Sequence, residues 1–387
     1  MRIGMQKSQY NHLSTEKALQ TQQLSTTFDT PAVETVKSTW WKSIRVEKIG
    51  IFILSLFLFT LAITLMKDGA RSLAPLLQNV FSINNPANCF GFGWFFSYLV
   101  MSGSPVAAAS LTFFDAGVID KMGAFAMITG SRFGASFIVL LIGFLYVLRG
   151  RDRSTSLSMG LLSLLVTFST YLPGFILGAA FLQSGWLDSM QLHSGALLSS
   201  IIDFAIAPLA GFIGTLLPDW LVFCAGLGVT LLSFSLFDKC LPQMALQESH
   251  LGRMSRLVFR PSVMFLLGAL VTMVSMSVTL SLSLLVPFSA RGFVRRENVI
   301  PYIMGANITT FIDTLLAAVL LRNSSAFTII FVGILSIAIV SILILIFFHS
   351  RYRNLILNSV DWVTTNNRNL AIFMAIIFAL PLILVLI

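Results

Sequence analysis

Residues 101–110 read MSGSPVAAAS, and they interrupt a long apolar segment. It follows the aromatic run NCFGFGWFFSYLV at 88–100 and precedes the charged Asp115. In a soluble protein such a cluster of Ser, Gly and Pro would indicate a surface turn between two core elements. The composition of the whole chain argues against that interpretation.

Hydrophobic residues make up 56% of the 387 residues, charged residues only 11%, and the mean hydropathy is +0.87. Soluble domains contain about a quarter charged residues, so this chain cannot cover a globular surface with polar groups, and we expect lipid to surround it. The net charge of +9 does not indicate nucleic-acid binding, because the basic residues flank apolar runs instead of forming a patch. They are typical of topology signals.

Seven runs are long enough for spanning helices, which need about 20 apolar residues. They are Ile49–Met66, Met122–Leu148, Leu157–Leu182, Trp220–Phe237, Val299–Leu321, Phe327–Phe348 and Leu370–Ile387. The apolar segment Ala196–Leu217 contains Asp203 and Pro208. We expect it to lie flat at the outer interface.

Two further apolar stretches, 88–117 and 261–290, are interrupted near their middle by SGSP and MVSMSVTLSLS. Each half has about 14 residues, or ~21 Å of helix, which is too short for a hydrocarbon core of ~30 Å. Two short helices joined by a small polar turn predict a re-entrant hairpin. Irregular backbone at that depth is tolerated only when it is buried in protein or lines a wet cavity.

An internal repeat relates the two interrupted stretches at an offset of 175 residues. The aligned pairs are Ser102 with Ser277, Ser104 with Thr279, Gly117 with Gly292, Ile128 with Ile303 and Gly130 with Gly305. Each hairpin precedes a second interrupted segment, ITGSRFGAS at 128–136 and IMGANITTF at 303–311. We therefore predict one broken transmembrane helix in each repeat.

The positions of Lys and Arg predict the orientation. With the N-terminus in the cytoplasm, most of the 25 basic residues lie inside; Lys67, Arg71, Lys121 and Arg322 lie outside, and Arg132 lies in the membrane. This asymmetry follows the positive-inside rule. The same assignment inverts the two repeats, and inverted repeats whose broken helices meet at the midplane are typical of secondary transporters.

The predicted organisation is an all-α polytopic membrane protein with two inverted-topology repeats, each containing a re-entrant hairpin and a broken helix. Its parts are a polar, disordered cytoplasmic tail (1–46), a first repeat (47–195), an interfacial linker helix (196–217), a second repeat (218–348), and a cytoplasmic loop with a C-terminal transmembrane helix (349–387). We expect a multi-pass protein of the cell membrane, plasma or inner. The oligomeric state is left open.

At these motifs the chain resembles the sodium-phosphate cotransporter (type II) family. That family has two inverted repeats, each with an entry helix, a hairpin with a Q-S-S-S tip and a broken helix around G-A-N-I-G-T-T. Here LFLFTLAITLMKDGARSLAPLL at 56–77 is similar to the entry helix and its loop, and GANITT at 305–310 matches the broken-helix motif most closely. The resemblance spans roughly residues 49–348.

The chain also departs from the family pattern. The motif glutamine falls on Met101 and on Met276, and Arg132 stands where an asparagine would be. The resemblance implies that hydroxyls at the hairpin tips hold sodium and phosphate. The departures leave the solute open between phosphate, a carboxylate and another oxyanion, and the coupling ion open between Na+ and a proton.

The candidate binding residues are hydroxyl, amide and charged side chains near the breaks, where free carbonyls and helix N-termini also supply ligands. They are Ser102, Ser104, Arg132, Ser277, Thr279, Asn307, Thr309, Thr310 and Asp313. Of these, Ser104, Thr279, Thr310 and Asp313 are the candidate Na+ ligands. The alternative for the tip hydroxyls is that they allow close helix packing.

Arg132 and Asp313 have two interpretations each. A charge inside a spanning helix costs at least ~2.5 kcal/mol and usually faces the protein interior. Arg132 is either an anion clamp, because guanidinium binds oxyanions through two hydrogen bonds, or half of an ion pair with Asp115 or Asp313. Asp313 is either a Na+ ligand or proton site, or a structural partner.

The leading hypothesis is sodium-coupled symport of phosphate or a similar small anion, with lipid as the other partner and no cofactor beyond the coupling ion. The alternatives are the same carrier with another anion or with proton coupling, and a non-transporting membrane scaffold or receptor. We predict no enzyme, because no Ser-His pair, paired carboxylates or metal-ligand spacing occurs at membrane depth in the sequence. The three cysteines form no CxxC pattern.

Overall fold

A computed structural model describes residues 46–81, 83, 85–148, 153–187, 200, 202–240, 260–283 and 295–387. The tail predicted at 1–46 lies outside the described residues except for its last residue. Residues 188–199, which include the start of the predicted interfacial segment, and 284–294, which include the end of the second interrupted stretch, also lie outside them. Within the described ranges all regular structure is helical.

The helices of the first half of the chain begin with a long apolar helix and end with another. They are α1 (Val46–Ala70), α2 (Ala74–Asn79), α3 (Pro86–Val100), α4 (Gly103–Asp115), α5 (Lys121–Leu148) and α6 (Arg153–Ser184).

The helices of the remainder follow a π-helical turn at Ile202–Ile206. They are α7 (Ala207–Leu216), α8 (Asp219–Cys240), α9 (Pro261–Ser275), α10 (Val278–Ser283), α11 (Arg296–Thr309), α12 (Ile312–Leu320), α13 (Ser324–Leu343), α14 (His349–Thr365) and α15 (Asn367–Leu386).

Seven helical segments of the described chain are long and apolar enough to cross a membrane. They are Glu47–Asn79, Lys121–Leu145, Leu157–Ser184, Asp219–Lys239, Arg296–Leu320, Ser324–Thr365 and Asn367–Leu386. Each overlaps one of the seven runs predicted from the sequence. The described part of the chain is therefore all-helical, and these segments indicate a membrane-embedded protein.

The MSGSP stretch forms a two-residue turn between α3 and α4. The Asn85 side chain caps the start of α3 by accepting from Asn88 N (2.9 Å), and Pro86 occupies the first turn, where its missing N–H costs nothing. α3 ends where Met101 adopts a left-handed conformation (φ 53°) and Ser102 is extended. Pro105 falls in the first turn of α4, a position that tolerates proline.

The second interrupted stretch repeats this turn at the same offset. α9 begins at Pro261 and ends at Ser275, and the next residue, Met276, is also left-handed (φ 49°). The Ser277 hydroxyl then accepts from Leu280 N (3.2 Å) and caps α10. A non-glycine residue pays roughly 1–2 kcal/mol for this conformation, so two methionines at equivalent positions mark equivalent turns.

Glycines bring α3 against α5 and α9 against α11 by the same contacts. A Cβ added at any of four glycines would lie at most 2.1 Å from a carbonyl oxygen of the partner helix, which leaves no room for any side chain. The contacts are Gly93 with Met127 O, Gly130 with Phe90 O, Gly268 with Tyr302 O and Gly305 with Phe265 O. The second two contacts are the first two displaced by 175 residues.

The prediction of a broken helix in the first repeat is wrong. α5 runs without interruption from Lys121 to Leu148. Its serines bond back to their own helix, Ser131 to Ile128 O and Ser136 to Arg132 O, so they do not open it. Its glycines instead allow the backbone of α5 to pack closely against α3. In the second half the break is present, as a turn at Thr310–Phe311 between α11 and α12.

Equivalent helices of the two halves also pack on each other. α1 lies along α8, and α6 lies along α13. α4 packs against α12, while α10 packs against α5. These crossed contacts bring the middle of α5 next to the turn between α11 and α12.

Candidate functional site

Arg132 lies in the middle of α5 and points at the turn between α11 and α12. Its side chain is 2% exposed. Nη1 donates to the hydroxyls of Ser104 (3.4 Å) and Thr310 (3.3 Å), and Nη2 donates to the Thr314 hydroxyl. One arginine therefore joins α4, α5 and the broken helix of the second half.

The charge of Arg132 is balanced by Asp313. Arg132 Nη2 lies 3.2 Å from Asp313 Oδ1, and the Asp313 side chain is 1% exposed. The same carboxylate oxygen accepts from the Thr314 hydroxyl (2.8 Å) and from the Thr314 backbone N–H. Because Asp313 stands in the first turn of α12, the helix dipole also favours its negative charge.

Asp115, the other partner considered for Arg132, is engaged elsewhere. Its carboxylate lies 2.8 Å from Lys67 Nζ and accepts from Asn323 Nδ2 (2.8 Å). Asp203 forms a separate ion pair with Arg322 (2.8 Å). Of the two ion pairs predicted as alternatives for Arg132, the structure contains the one with Asp313.

Aromatic rings close one side of the pair. The Phe311 ring centroid lies 4.9 Å from Arg132 Cζ, a distance at which a cation is attracted by the ring face. Tyr171 of α6 stacks on Phe311, with centroids 6.0 Å apart, and its hydroxyl donates to Asn307 O (2.7 Å). The last turn of α11 is thus fixed to α6 directly beside the ion pair.

A second polar chain runs alongside, from α5 to α6 to α11. Asn307 Nδ2 donates to Thr167 Oγ1 (3.1 Å), and the Ser136 hydroxyl donates to the same oxygen (2.9 Å). Asn307 occupies the position that corresponds to Arg132 in the internal repeat. Its side chain bonds to Thr167 of α6, whereas Arg132 bonds to α4 and to the broken helix of the second half.

The structure brings together four of the nine candidate residues: Ser104, Arg132, Thr310 and Asp313. Ser277 caps α10, and Thr309 of α11 donates to Ala269 O of α9 (2.9 Å), a contact away from the pair. Ser102 is half-buried at the turn after α3. The side chain of Thr279 lies outside the described residues.

Sequence reasoning missed Thr314, Phe311, Tyr171 and Thr167. Thr314 is adjacent to Asp313 and shares its hydrogen bonds, so proximity in sequence was an available signal. Thr167 and Tyr171 are four residues apart and therefore share one face of α6. Two polar residues on one face of an apolar helix indicate a buried polar contact. The sequence did not show that the contact is with Asn307 of α11, because this depends on how the helices pack.

Two buried atoms of the pair find no hydrogen-bond partner among protein atoms: Arg132 Nε and Asp313 Oδ2. One is a donor and the other an acceptor, so the pair retains capacity for one anionic and one cationic contact. Within the described residues no three His, Cys, Asp or Glu side chains lie close enough to hold a metal ion. Any cation here would rely on one carboxylate with hydroxyl and carbonyl oxygens.

The arrangement as a whole is a neutral, dehydrated charge pair lined by hydroxyls and aromatic rings at the junction of the two halves. Its burial means that a solute reaches it only if helices move. Comparison of the chain with protein-family models, with curated proteins and with solved structures gave no match.

Proposed function

We propose that this chain is a secondary transporter that moves a small anion, phosphate or a similar oxyanion, across the cell membrane in symport with Na+ or a proton. The observation that carries the proposal is the buried Arg132–Asp313 pair, ringed by the hydroxyls of Ser104, Thr310 and Thr314. Charged residues inside a membrane-spanning bundle are costly, and they are typical of ion and substrate pathways.

The equivalent turns at Met101 and Met276 and the equivalent glycine contacts support a structural repeat. We propose that the two repeats are inverted and that the α3–α4 and α9–α10 units are re-entrant hairpins that enter from opposite faces. In carriers built this way, substrate and coupling ion bind at the repeat interface near the midplane. The charge pair lies between α5 of one proposed repeat and the α11–α12 break of the other.

The ion pairs at the helix ends are compatible with the proposed orientation, in which the N-terminus is cytoplasmic. Asp115 contacts both Lys67 and Asn323, and each of the three belongs to a segment assigned to the outer face. Arg296 and Asp361 lie 3.6 Å apart, and both are assigned to the inner face. Every one of these pairs joins residues assigned to the same side.

A place in the sodium-phosphate cotransporter family remains part of the proposal and rests on the motifs of the sequence. The structure changes one of its details, because Arg132 uses its charge on an internal carboxylate. An anion clamp at Arg132 must therefore compete with Asp313. This competition favours a transport cycle in which the pair opens when solute binds.

Uptake into proteoliposomes tests the proposal. Radiolabelled phosphate, sulfate and acetate are offered in turn, each with an inward Na+ gradient, an inward proton gradient or neither. We expect gradient-dependent uptake of one anion by the wild type, at least a tenfold loss in Arg132→Gln, and a several-fold loss in Ser104→Ala.

Matched controls are Arg322→Gln, which alters an arginine of a surface pair, and Ser359→Ala, whose hydroxyl donates to Leu355 O within α14. Both should retain uptake. If folded wild-type protein takes up none of the three anions under either gradient, the transporter proposal fails. A non-transporting scaffold would then be the better interpretation.

A further inference from the structure

The Arg132–Asp313 pair holds two of the buried side-chain polar atoms that lack a protein partner in the described chain. Arg132 Nε has no acceptor, and Asp313 Oδ2 has no donor. A buried polar atom without a partner destabilises the folded state, and more so when the group is charged. Such groups in a native structure call for a specific explanation.

The two atoms require ligands of opposite kind. A guanidinium N–H can only donate, so it is completed by an anion or another acceptor; an ionised carboxylate oxygen can only accept, so it is completed by a cation or a donor. Asp313 Oδ1 is already shared among Arg132 and both donors of Thr314. A cation would therefore find its free carboxylate oxygen at Oδ2.

Charge balance links the two events. With the pair closed, the site is neutral. An anion that binds Arg132 replaces Asp313 as the counter-ion of the guanidinium. Asp313 then stays negative without a counter-ion, although the two side chains are only 1–2% exposed. An uncompensated buried charge costs several kcal/mol, so the anion binds well only if a cation binds Asp313 at the same time.

From this we infer that the Arg132–Asp313 pair makes anion binding and monovalent-cation binding obligatory partners, with one cation per anion at this site. In the empty carrier Arg132 and Asp313 neutralise each other. In the loaded carrier the anion neutralises Arg132 and the cation neutralises Asp313. For a singly charged anion both states are neutral, so both can cross between the two access states without a bare charge in a low-dielectric environment. The inference rests on the proposed transport function.

Two hydroxyls can serve both states without moving far. Thr314 Oγ1 now accepts from Arg132 and donates to Asp313, and Thr310 Oγ1 accepts from Arg132. A hydroxyl donates one hydrogen bond and accepts up to two, so it can turn toward either an anion or a cation. These side chains supply oxygen ligands to Na+ or donors to an oxyanion at no cost in net charge.

The cation is Na+ or a proton, and few other titratable groups would compete with Asp313 for a proton. Arg132 from α5 and Tyr171 from α6 are the neighbours beside the pair. Among the helices that pack on α12, α13 has no charged residue, α4 contributes Asp115, and α1 contributes Glu47, Lys48, Lys67 and Asp68. Asp115 and Lys67 are paired with each other.

The test is equilibrium binding of radiolabelled phosphate, sulfate and acetate to the purified full-length protein in detergent. Each anion is titrated at pH 8 in choline, at pH 8 in Na+, and at pH 5.5 in choline. We expect the wild type to bind its anion at least tenfold more tightly in one of the two cation conditions than in choline at pH 8. Improvement in Na+ identifies Na+. Improvement of sulfate or acetate binding at pH 5.5 identifies the proton, whereas phosphate itself gains a proton between pH 8 and pH 5.5 and is judged by its difference from Asp313→Asn.

Asp313→Asn removes the charge that must be compensated. Its anion affinity should change less than twofold among the three conditions and should equal or exceed that of the wild type in choline at pH 8. Asp203→Asn, which alters an exposed carboxylate paired with Arg322, should keep the wild-type cation dependence. If Asp313→Asn does not fold, the wild-type titrations and Asp313→Glu, which keeps the charge and should keep the dependence, decide the question.

The outcomes separate the two proposals. Anion binding by the wild type that ignores both cations overturns the coupling and leaves the transporter proposal standing. Cation dependence retained in folded Asp313→Asn also overturns the assignment of the coupling to Asp313. Absence of any anion binding by folded wild type contradicts the transporter proposal itself, and the coupling fails with it.

Discussion

At the scale of single residues, the molecule is organised around one arginine that a lipid-embedded chain would not retain without a partner. Arg132 contacts four polar side chains from α4 and from the α11–α12 turn, and it lies against the Phe311 ring. Removing one charge of a buried pair is far more damaging than removing both, because the remaining charge stays dehydrated. The pair therefore allows us to predict how single and double substitutions change the free energy of unfolding.

Asp313→Asn and Arg132→Gln should each destabilise the protein by about 3–5 kcal/mol. The double variant should lose clearly less than the sum of the two single variants, because it leaves no uncompensated charge. Thermal unfolding of the detergent-solubilised protein, followed by intrinsic fluorescence, measures the cycle. The cycle formed by Asp203→Asn and Arg322→Gln is the exposed control and should show at most about 1 kcal/mol of coupling. Additive losses at Arg132 and Asp313 would mean that the two charges do not stabilise each other.

At the scale of the helices, the two halves use one packing scheme and differ in one place. Both have a glycine-lined crossing and a left-handed methionine, but only the second has a break after the crossing. The reason is local. Asp313 and Thr314 hydrogen-bond to each other at the start of α12, whereas the equivalent residues of α5 are Ile138 and Val139, which have no side-chain acceptor. A side-chain acceptor near the amide competes with the helical ladder.

The glycine crossings predict which substitutions the helices cannot accept. Gly130→Ala and Gly305→Ala should each lower the free energy of unfolding by about 1–3 kcal/mol or more, because the new Cβ would lie 2.0 Å from a backbone oxygen that cannot move independently. Gly228→Ala in α8 is the control, since no heavy atom lies within 4 Å of its Cβ. Thermal unfolding in detergent compares the three. Equal stability of Gly130→Ala and Gly228→Ala would contradict the crossing.

At the scale of the whole molecule, the proposal depends on the direction in which each half enters the membrane. Equivalent helices pack together across the molecule, α1 with α8 and α6 with α13. The charge pair then lies where the two halves meet. An inverted arrangement would expose equivalent positions of α3 and α9 on opposite sides of the membrane.

Ala87 and Ser262 are equivalent under the repeat, and both are exposed near the starts of α3 and α9. In a chain with Cys89, Cys224 and Cys240 replaced by alanine, we expect Ala87→Cys to react with a membrane-impermeant maleimide from outside intact cells. Ser262→Cys should react only after the cells are permeabilised. Labelling of both positions from the same side would rule out inverted repeats, whatever the solute.

Much of the fold was predictable from the sequence because lipid imposes simple requirements. Apolar runs of sufficient length predicted the seven helical segments that are long and apolar enough to cross a membrane, and the SGSP cluster predicted a helix interruption, which the structure contains at Met101–Ser102. The sequence also led us to expect a broken helix in the first repeat, but α5 is continuous there, and hydropathy alone could not have shown this. Gly130 and Gly134 there could indicate either a break or a close crossing, and only the presence of α3 decides between them.

The sequence by itself determined a helical membrane protein with an internal 175-residue correspondence and a charged residue, Arg132, in an apolar segment. Only the tertiary structure decided that Arg132 pairs with Asp313, that Asp115 pairs with Lys67, and that Thr314, Phe311 and Tyr171 join the site. The physical reason is the separation along the chain of the residues that interact. Hydropathy and backbone conformation are properties of neighbouring residues, whereas the compensation of a buried charge is settled by whichever side chain packing brings within about 3 Å, here one 181 positions away.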